Sequence, residues 1–409
     1  MACIHPFRAL RPEPGAAAAV AAVPYDVVTT REARALAAGN PLSFLHVSRA
    51  EIDLPPDTDP HDAAVYRAAA GNLGRLRRDA PLVEEAAPSL YIYRLRTDDH
   101  EQTGLAACYS LDEYDRGVIK RHEKTRPDKE DDRTRHMLAL RAQTGIVFLT
   151  YRAEPELTAL MRRAAQDAPL FDLQAPDGVR HTVWRLGPED QAAAEAGFAR
   201  VPALYIADGH HRIASAARAR DQLAAAENGA GRARFVLGVA FPDSDTRVQA
   251  YNRTVADLAG QAPGQFLDAL RARFTVRTAA AAEPPRGHVA VYLGAGSWHD
   301  VELPSAGAAG PAADPAAGLD VAVLQDALLA PLLAVGDVRT DPRVAFVGGA
   351  RGTVALERLV DSGEAAVAFS LAPVTTAELF AVSDAGCMMP PKSTWFEPKL
   401  RDGLLLHPI

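Results

Sequence analysis

The feature that most constrains this chain is the passage from the apolar run 203–207 (ALYIA) through Asp208-Gly209-His210-His211-Arg212 into an alanine-rich stretch. The spacing predicts a buried strand over 203–207 and a helix over 210–227. A strand that ends in a glycine turn and opens a helix aims backbone N–H groups and the positive end of the helix dipole at one point, which favours an anion. Gly209 allows a ligand to approach closely, and Arg212 supplies a planar cationic fork suited to phosphate oxygens. Asp208 is placed to cap the helix, orient a hydroxyl or help hold a magnesium ion. Asp-Gly alone is also a common structural turn. The two histidines and the arginine that follow it are what point to phosphate. Successive helical residues point about 100° apart, so His210 and His211 are not expected to bind one metal together. One can face a phosphate while the other is structural.

Strand and helix signals alternate around this turn. Strands are expected at 90–96, 104–111, 146–151, 181–186, 234–241 and 288–293, and helices at 62–79, 131–143, 154–167, 189–199, 264–273, 320–333 and 374–382. A mixed α/β (α+β) fold follows, without a strand order. Segments 279–287 and 303–318 consist almost wholly of small residues and proline and read as loops, and no internal repeat is visible. With 409 residues, 48% hydrophobic and 23% charged, the composition is that of a globular protein of two or three domains.

Several function classes recede. No window supplies the roughly 18 uninterrupted apolar residues of a membrane helix, and no secretory leader is evident, so a cytoplasmic protein with no membrane partner is expected. Cys3, Cys108 and Cys387 lie far apart, which argues against a disulfide framework and a cysteine zinc site. With 52 acidic against 44 basic residues, net −8, a nucleic-acid partner is not expected. A homo-oligomer is left open.

Two further segments carry chemistry. In Lys120-Arg121-His122-Glu123-Lys124-Thr125-Arg126, a run that would ordinarily be a solvated loop, Glu123 sits among bases. A carboxylate there can take a proton from an alcohol while Arg121, Lys124 or Arg133 neutralises phosphate. Near the C-terminus, Gly386-Cys387-Met388-Met389-Pro390-Pro391-Lys392-Ser393 superficially resembles a P-loop, but Pro391 has no N–H and a fixed φ, so the amide nest cannot form. Lys392, Ser393, Thr394 and Lys399 could still line a phosphate site as side chains; an extended tail packed by Trp395 and Phe396 is the equal alternative.

Pro24-Tyr25-Asp26-Val27-Val28, Arg121-His122-Glu123-Lys124-Thr125, Asp208-Gly209-His210-His211-Arg212 and Met389-Pro390-Pro391-Lys392-Ser393-Thr394 occur in that order. Together they resemble the bacterial and archaeal family called domain of unknown function 1015. That family resembles the ParB/sulfiredoxin superfamily and, within it, the free-serine kinases. The resemblance implies a ParB/sulfiredoxin-like core at 111–275, between an N-terminal α/β region at 1–110 and a C-terminal α/β region at 276–409 whose tail can return to the site. It implies donor-phosphate binding by Asp208, Gly209, His210, His211 and Arg212, and a general-base role for Glu123. Gly209, Arg212 and Ser215 also resemble the ParB nucleotide motif, with serine where alanine is usual. Sulfiredoxin chemistry needs a cysteine where His210 and His211 stand, and is disfavoured.

The expectation is a small-molecule kinase that phosphorylates the hydroxyl of free L-serine. ATP, ADP or pyrophosphate is the donor and Mg²⁺ the cofactor, with Arg121, Lys124 and Lys392 as further phosphate cations. The alternatives are a ParB-like nucleotide-binding regulator and a nucleotide hydrolase or phosphatase.

Overall fold

The segment Val147–Tyr151 is buried at every position, as a continuous apolar run requires of a strand covered on both faces. It lies inside the main sheet of a computed structural model that describes residues 2–79, 81–227, 229, 231–304 and 314–409. The chain packs as two units. One comprises Met1–Lys120, Thr125–Thr246 and Pro398–Ile409; the other comprises Arg121–Lys124 and Arg247–Glu397. Of the 111–275 region, expected to form the phosphate-binding core, residues 121–124 and 247–275 fall in the second unit and the rest in the first. Most of the 303–318 loop, residues 305–313, lies outside the described residues. No described helix is long and apolar enough to cross a membrane.

The first unit holds a nine-stranded mixed sheet. Its strands are β1 (Ile4–His5), β2 (Tyr91–Arg96), β3 (Glu101–Ser110), β4 (Ile119–Lys120), β5 (Val147–Tyr151), β6 (Phe171–Gln174), β7 (Arg180–Arg185), β8 (Leu204–Asp208) and β9 (Phe235–Pro242). The order is β4-β8-β5-β9-β3-β2-β7-β6, with β1 also paired to β3. β8 runs parallel to β4 and antiparallel to β5, which is itself parallel to β9. Helices α1 (Ala63–Arg78), α2 (Pro127–Leu140), α3 (Pro155–Ala164), α4 (Pro188–Phe198) and α5 (His210–Glu227) belong to this unit.

Prolines at the first turn open α2, α3 and α4, where their fixed φ suits a helix and their missing N–H is not needed. Pro127 therefore starts α2 four residues before the expected 131. The charged residues 128–132 conceal this start, because a helix nearly all polar at its beginning has no apolar rhythm to read. The expected end at 143 is also corrected. Arg141, at φ 52°, takes a left-handed conformation that stops the helix, and Ala142–Gln143 instead pairs with His407–Pro408. The small residues of α5 let α2 pack against it: Ala216 is 1% exposed, and Ser215, fully buried, donates from Oγ to the Glu130 carbonyl at 3.1 Å.

The second unit holds a six-stranded antiparallel sheet. It contains β10 (Tyr251–Val255), β11 (Val276–Thr278), β12 (His288–Tyr292), β13 (Trp298–Glu302), β14 (Val344–Gly348) and β15 (Val367–Leu371), ordered β11-β13-β12-β15-β10-β14. Helices α6 (Pro263–Arg271), α7 (Gly352–Asp361) and α8 (Thr376–Asp384) belong to it, as does the expected helical stretch at 320–333, which is α-helical over Asp320–Val323 and Ala330–Leu333 and widens to a π-helix over Leu324–Leu329; Arg247–Gln249 pairs with Trp395–Glu397 in a separate ribbon. Of the six sheet strands, sequence reading anticipated β12. Of the others, β11 is only three residues long, and β10 (YNRTV) and β13 (WHDVE) carry polar and charged residues inside the strand, so no apolar run stands out.

Candidate functional site

The Asp208 turn is built by three local features. Pairing between β8 and β5 shifts register between Ile206 and Asp208, a bulge that re-aims the end of the strand. Gly209 follows at φ 99°, a conformation that demands glycine, and an added Cβ would also sit tightly, 3.3 Å from Arg212 Cδ and 3.4 Å from Val147 Cα. Ile213 N–H then donates to the Gly209 carbonyl at 3.1 Å and closes the first turn of α5. The carboxylate of Asp208 stays partly exposed, at 28% of its side chain.

Arg212 does not stand in solvent. Its side chain is 5% exposed; Nη2 donates to both oxygens of Asp26, at 2.9 and 2.8 Å, and Nη1 donates to the Ile146 carbonyl at 2.8 Å. Nη1 also lies 3.7 Å from Asp208 Oδ2. Burial opposes the guanidinium charge, but Asp26 and Asp208 outweigh it and hold the group above the ordinary arginine range. This explains the Pro24-Tyr25-Asp26 motif physically: Asp26 clamps Arg212, and the Tyr25 ring lies 4.3 Å from the Arg133 guanidinium and 5.7 Å from that of Arg212. Arg133 is in turn held by Asp132 at 2.8 and 2.7 Å, and Asp132 accepts from the Tyr66 hydroxyl at 2.9 Å.

The C-terminal segment reaches the same turn. Lys399 Nζ lies 3.2 Å from Asp208 Oδ2. Asp402, three residues on, is 3% exposed, and its Oδ2 is buried without a hydrogen-bond partner. Burial raises its carboxyl to about 7, against the pull of Arg212 and with added repulsion from Asp26. The two histidines differ. His210 is buried, whereas the half-buried His211 accepts from the Arg126 N–H through Nε2 at 3.0 Å, so its neutral ring carries the proton on Nδ1.

The other two motifs meet in the second unit. His122, 2% exposed, accepts from the Met389 N–H at 2.8 Å through its carbonyl, and its Nε2 lies 3.2 Å from Thr394 Oγ1. Residues 121–124 and 389–394 are therefore one assembly, with Arg121, Lys124 and Lys392 exposed and Glu123 half-buried. Lys392 has φ 55°, a left-handed conformation unusual outside glycine, and its ammonium lies 5.6 Å from the Tyr251 ring. Ser393 Oγ donates to the Pro390 carbonyl at 2.6 Å, and the buried Arg253 donates to the carbonyls of Pro391 at 3.1 Å and Tyr251 at 2.8 Å.

Sequence reasoning singled out nine site residues but gave no role to Asp26, Arg253 or Asp402, and left Lys399 a side remark. Asp26 had a signal, since its motif was part of the family pattern. Arg253 and Asp402 had none. Among the described residues, no group of three His, Cys, Asp or Glu side chains is arranged to hold a metal ion.

Three solved structures are similar at low identity. SbnI with a C-terminal truncation, from Staphylococcus aureus, is 14% identical, with 74% of this chain and 87% of that one covered and a TM-score of 0.39. A free serine kinase mutant in complex with ADP is 12% identical, with 73% and 92% covered and a TM-score of 0.35. A conserved hypothetical protein from Pyrococcus furiosus is 14% identical, with 74% and 95% covered and a TM-score of 0.37. No curated protein matches the chain. The model of a family described as a protein of unknown function, DUF1015, matches residues 4–322, and the chain belongs to that family.

Proposed function

We propose that the chain is a small-molecule kinase that transfers a phosphoryl group from ATP, ADP or pyrophosphate to the hydroxyl of free L-serine, giving O-phosphoserine. The observation that carries this reading is the Asp208 turn: a partly exposed carboxylate where an 18-residue helix begins, with Lys399 Nζ at 3.2 Å and Arg212 Nη1 at 3.7 Å. A carboxylate flanked by cations at the positive end of a helix suits a phosphoanhydride donor and its counter-ion. Serine as acceptor, and the ParB/sulfiredoxin likeness of the turn, come from the resemblance of the four motifs and belong to the same proposal.

In the reaction, the serine Oγ forms a new bond to phosphorus and the bond from phosphorus to the bridging oxygen of the donor breaks. The hydroxyl proton passes to the carboxylate of Glu123. Gly209, His210 and His211 face donor phosphates, Arg212 holds the turn through Asp26, and Arg121, Lys124 and Lys392 supply further positive charge. Asp208 offers a hard oxygen ligand, which fits Mg²⁺ held mainly by donor phosphates rather than by an all-protein cage. When bound, Mg²⁺ neutralises charge on the transferring group.

Incubating the full chain with L-serine, Mg²⁺ and each of ATP, ADP and pyrophosphate, with detection of O-phosphoserine by mass spectrometry, tests the reading. Product with at least one donor is expected; none with any donor ends it. Phosphate release that ignores serine would favour a hydrolase. Nucleotide binding that persists in Glu123→Gln, without product from the wild type, would favour a ParB-like regulator.

A further inference from the structure

We infer that Lys399 is a ligand of the donor phosphates at the Asp208 turn, a role that rests on the kinase reading and adds a residue to it. Arg212, Arg133 and Lys399, all of the first unit, lie at this turn and its clamp. The two terminal nitrogens of Arg212 are taken up by Asp26 and the Ile146 carbonyl and its Nε is buried, so bringing Nη1 or Nη2 to a phosphate would break up to three hydrogen bonds in a nearly closed environment. Arg133 is spent likewise, on Asp132 at 2.8 Å and over the Tyr25 ring.

Lys399 differs in chemistry and in setting. Its ammonium is a point charge on a flexible stem, able to change partner by bond rotation. It pairs with Asp208, whose side chain is 28% exposed and so can meet water or a ligand cation when the lysine turns away. Its own side chain is only 14% exposed, and a lysine so enclosed is rare unless it is paired.

The backbone that carries Lys399 is anchored. Asp402 exchanges two hydrogen bonds with Ala22, each 3.0 Å, while Leu400 and Arg401 are both 5% exposed. Arg401 is ion-paired to Asp177, and its Nε lies 3.4 Å from His181 Nε2. An ammonium on a flexible stem, carried by a held backbone, can turn to a phosphate without reordering the chain, which keeps the entropic cost of binding low. The ligand chemistry is a phosphoanhydride, so ADP and pyrophosphate are both suitable probes, and comparing them shows whether the nucleoside contributes.

Binding of ADP and of pyrophosphate to the full chain, by calorimetry with Mg²⁺ present, tests the assignment in wild type, Lys399→Met, Lys399→Arg and the exposed control Lys129→Met. Lys399→Met is expected to weaken both ligands by about tenfold, and Lys399→Arg to stay within about threefold of wild type, because the charge is retained. The control should match wild type. Unchanged affinity in Lys399→Met overturns the inference and leaves the kinase reading intact. Equal losses in the methionine and arginine variants also overturn it, since they indicate a packing role. A wild-type chain that binds neither probe overturns the kinase reading itself.

Discussion

Arg212 in the first unit and Arg253 in the second are both almost fully enclosed, 4% and 1% exposed, and each supports a loop that bears one of the four motifs. Arg212 is surrounded by carboxylates. Burial works against its charge, but Asp26 and Asp208 more than offset this and keep it firmly cationic. Arg253 meets the backbone carbonyls of Tyr251 and Pro391 and the ring of Phe346, with no carboxylate partner among the described residues, and burial draws it down to about 9. The Asp208 turn is thus locked by opposite charges, and the Pro391–Lys392 turn by hydrogen bonds to dipoles. A charge lock is sensitive to removal of either partner, because the survivor is left buried and uncompensated. A dipole lock already bears an unbalanced charge, so removing the cation relieves one cost while creating another.

The sharpest way to test the contrast is functional. If Glu123 is the base and the Asp208 turn the donor site, Glu123→Gln should lower kcat for serine phosphorylation by about 10²–10⁴. ADP affinity, measured by calorimetry, should stay within about twofold of wild type in that variant. A fall in donor affinity matching the fall in kcat would break the division of roles.

Next in size is the charge lock. Asp26→Ala should cost about 2–4 kcal/mol in urea unfolding, at the lower end because the Asp26 side chain is 38% exposed. A change below about 0.5 kcal/mol would show that Arg212 does not need its carboxylate.

Asp402 gives the lock a pH signature. Its carboxyl is raised from 3.8 to about 7 in the folded chain, so the unfolded chain ionises first as pH rises. Its contribution is fully present below about pH 4, declines up to about pH 7 and is level above that. Asp402→Asn should therefore gain on wild type between pH 4 and pH 8, by at most about 4 kcal/mol, in unfolding curves at the two pH values. Equal differences at both would remove Asp402 from the charge balance.

The smallest effect is expected at the dipole lock. Arg253→Met forfeits the bonds to the Tyr251 and Pro391 carbonyls but no longer buries an unbalanced cation, so the two terms nearly cancel, within about 1 kcal/mol. A loss above about 3 kcal/mol in the same unfolding assay would place the two arginines in one class.

Local physics made part of this molecule legible from its residues. Strand β8, the Gly209 turn and helix α5 follow from an apolar run, a glycine and an alanine-rich stretch that are contiguous, and so do β5, β9 and the helices opened by proline. The start of α2 was hidden because its first turn carries charge instead of an apolar stripe. In the second unit β11 was hidden by its three-residue length, and β10 and β13 by the polar residues inside them.

The family, the mixed α/β class and the local form of the strand–Gly209–helix turn were therefore set by sequence alone, since each depends on neighbouring residues or on motifs kept in order. Tertiary structure decided which groups the turn would have as companions. It brought Asp26 to Arg212 across 186 positions and Lys399 to Asp208 from the far end of the chain. It also placed the His122 segment on 389–394 and left Asp402 buried without a partner for Oδ2. No local propensity encodes these pairings, because burial, and the electrostatics it strengthens, exist only once the chain has closed around them.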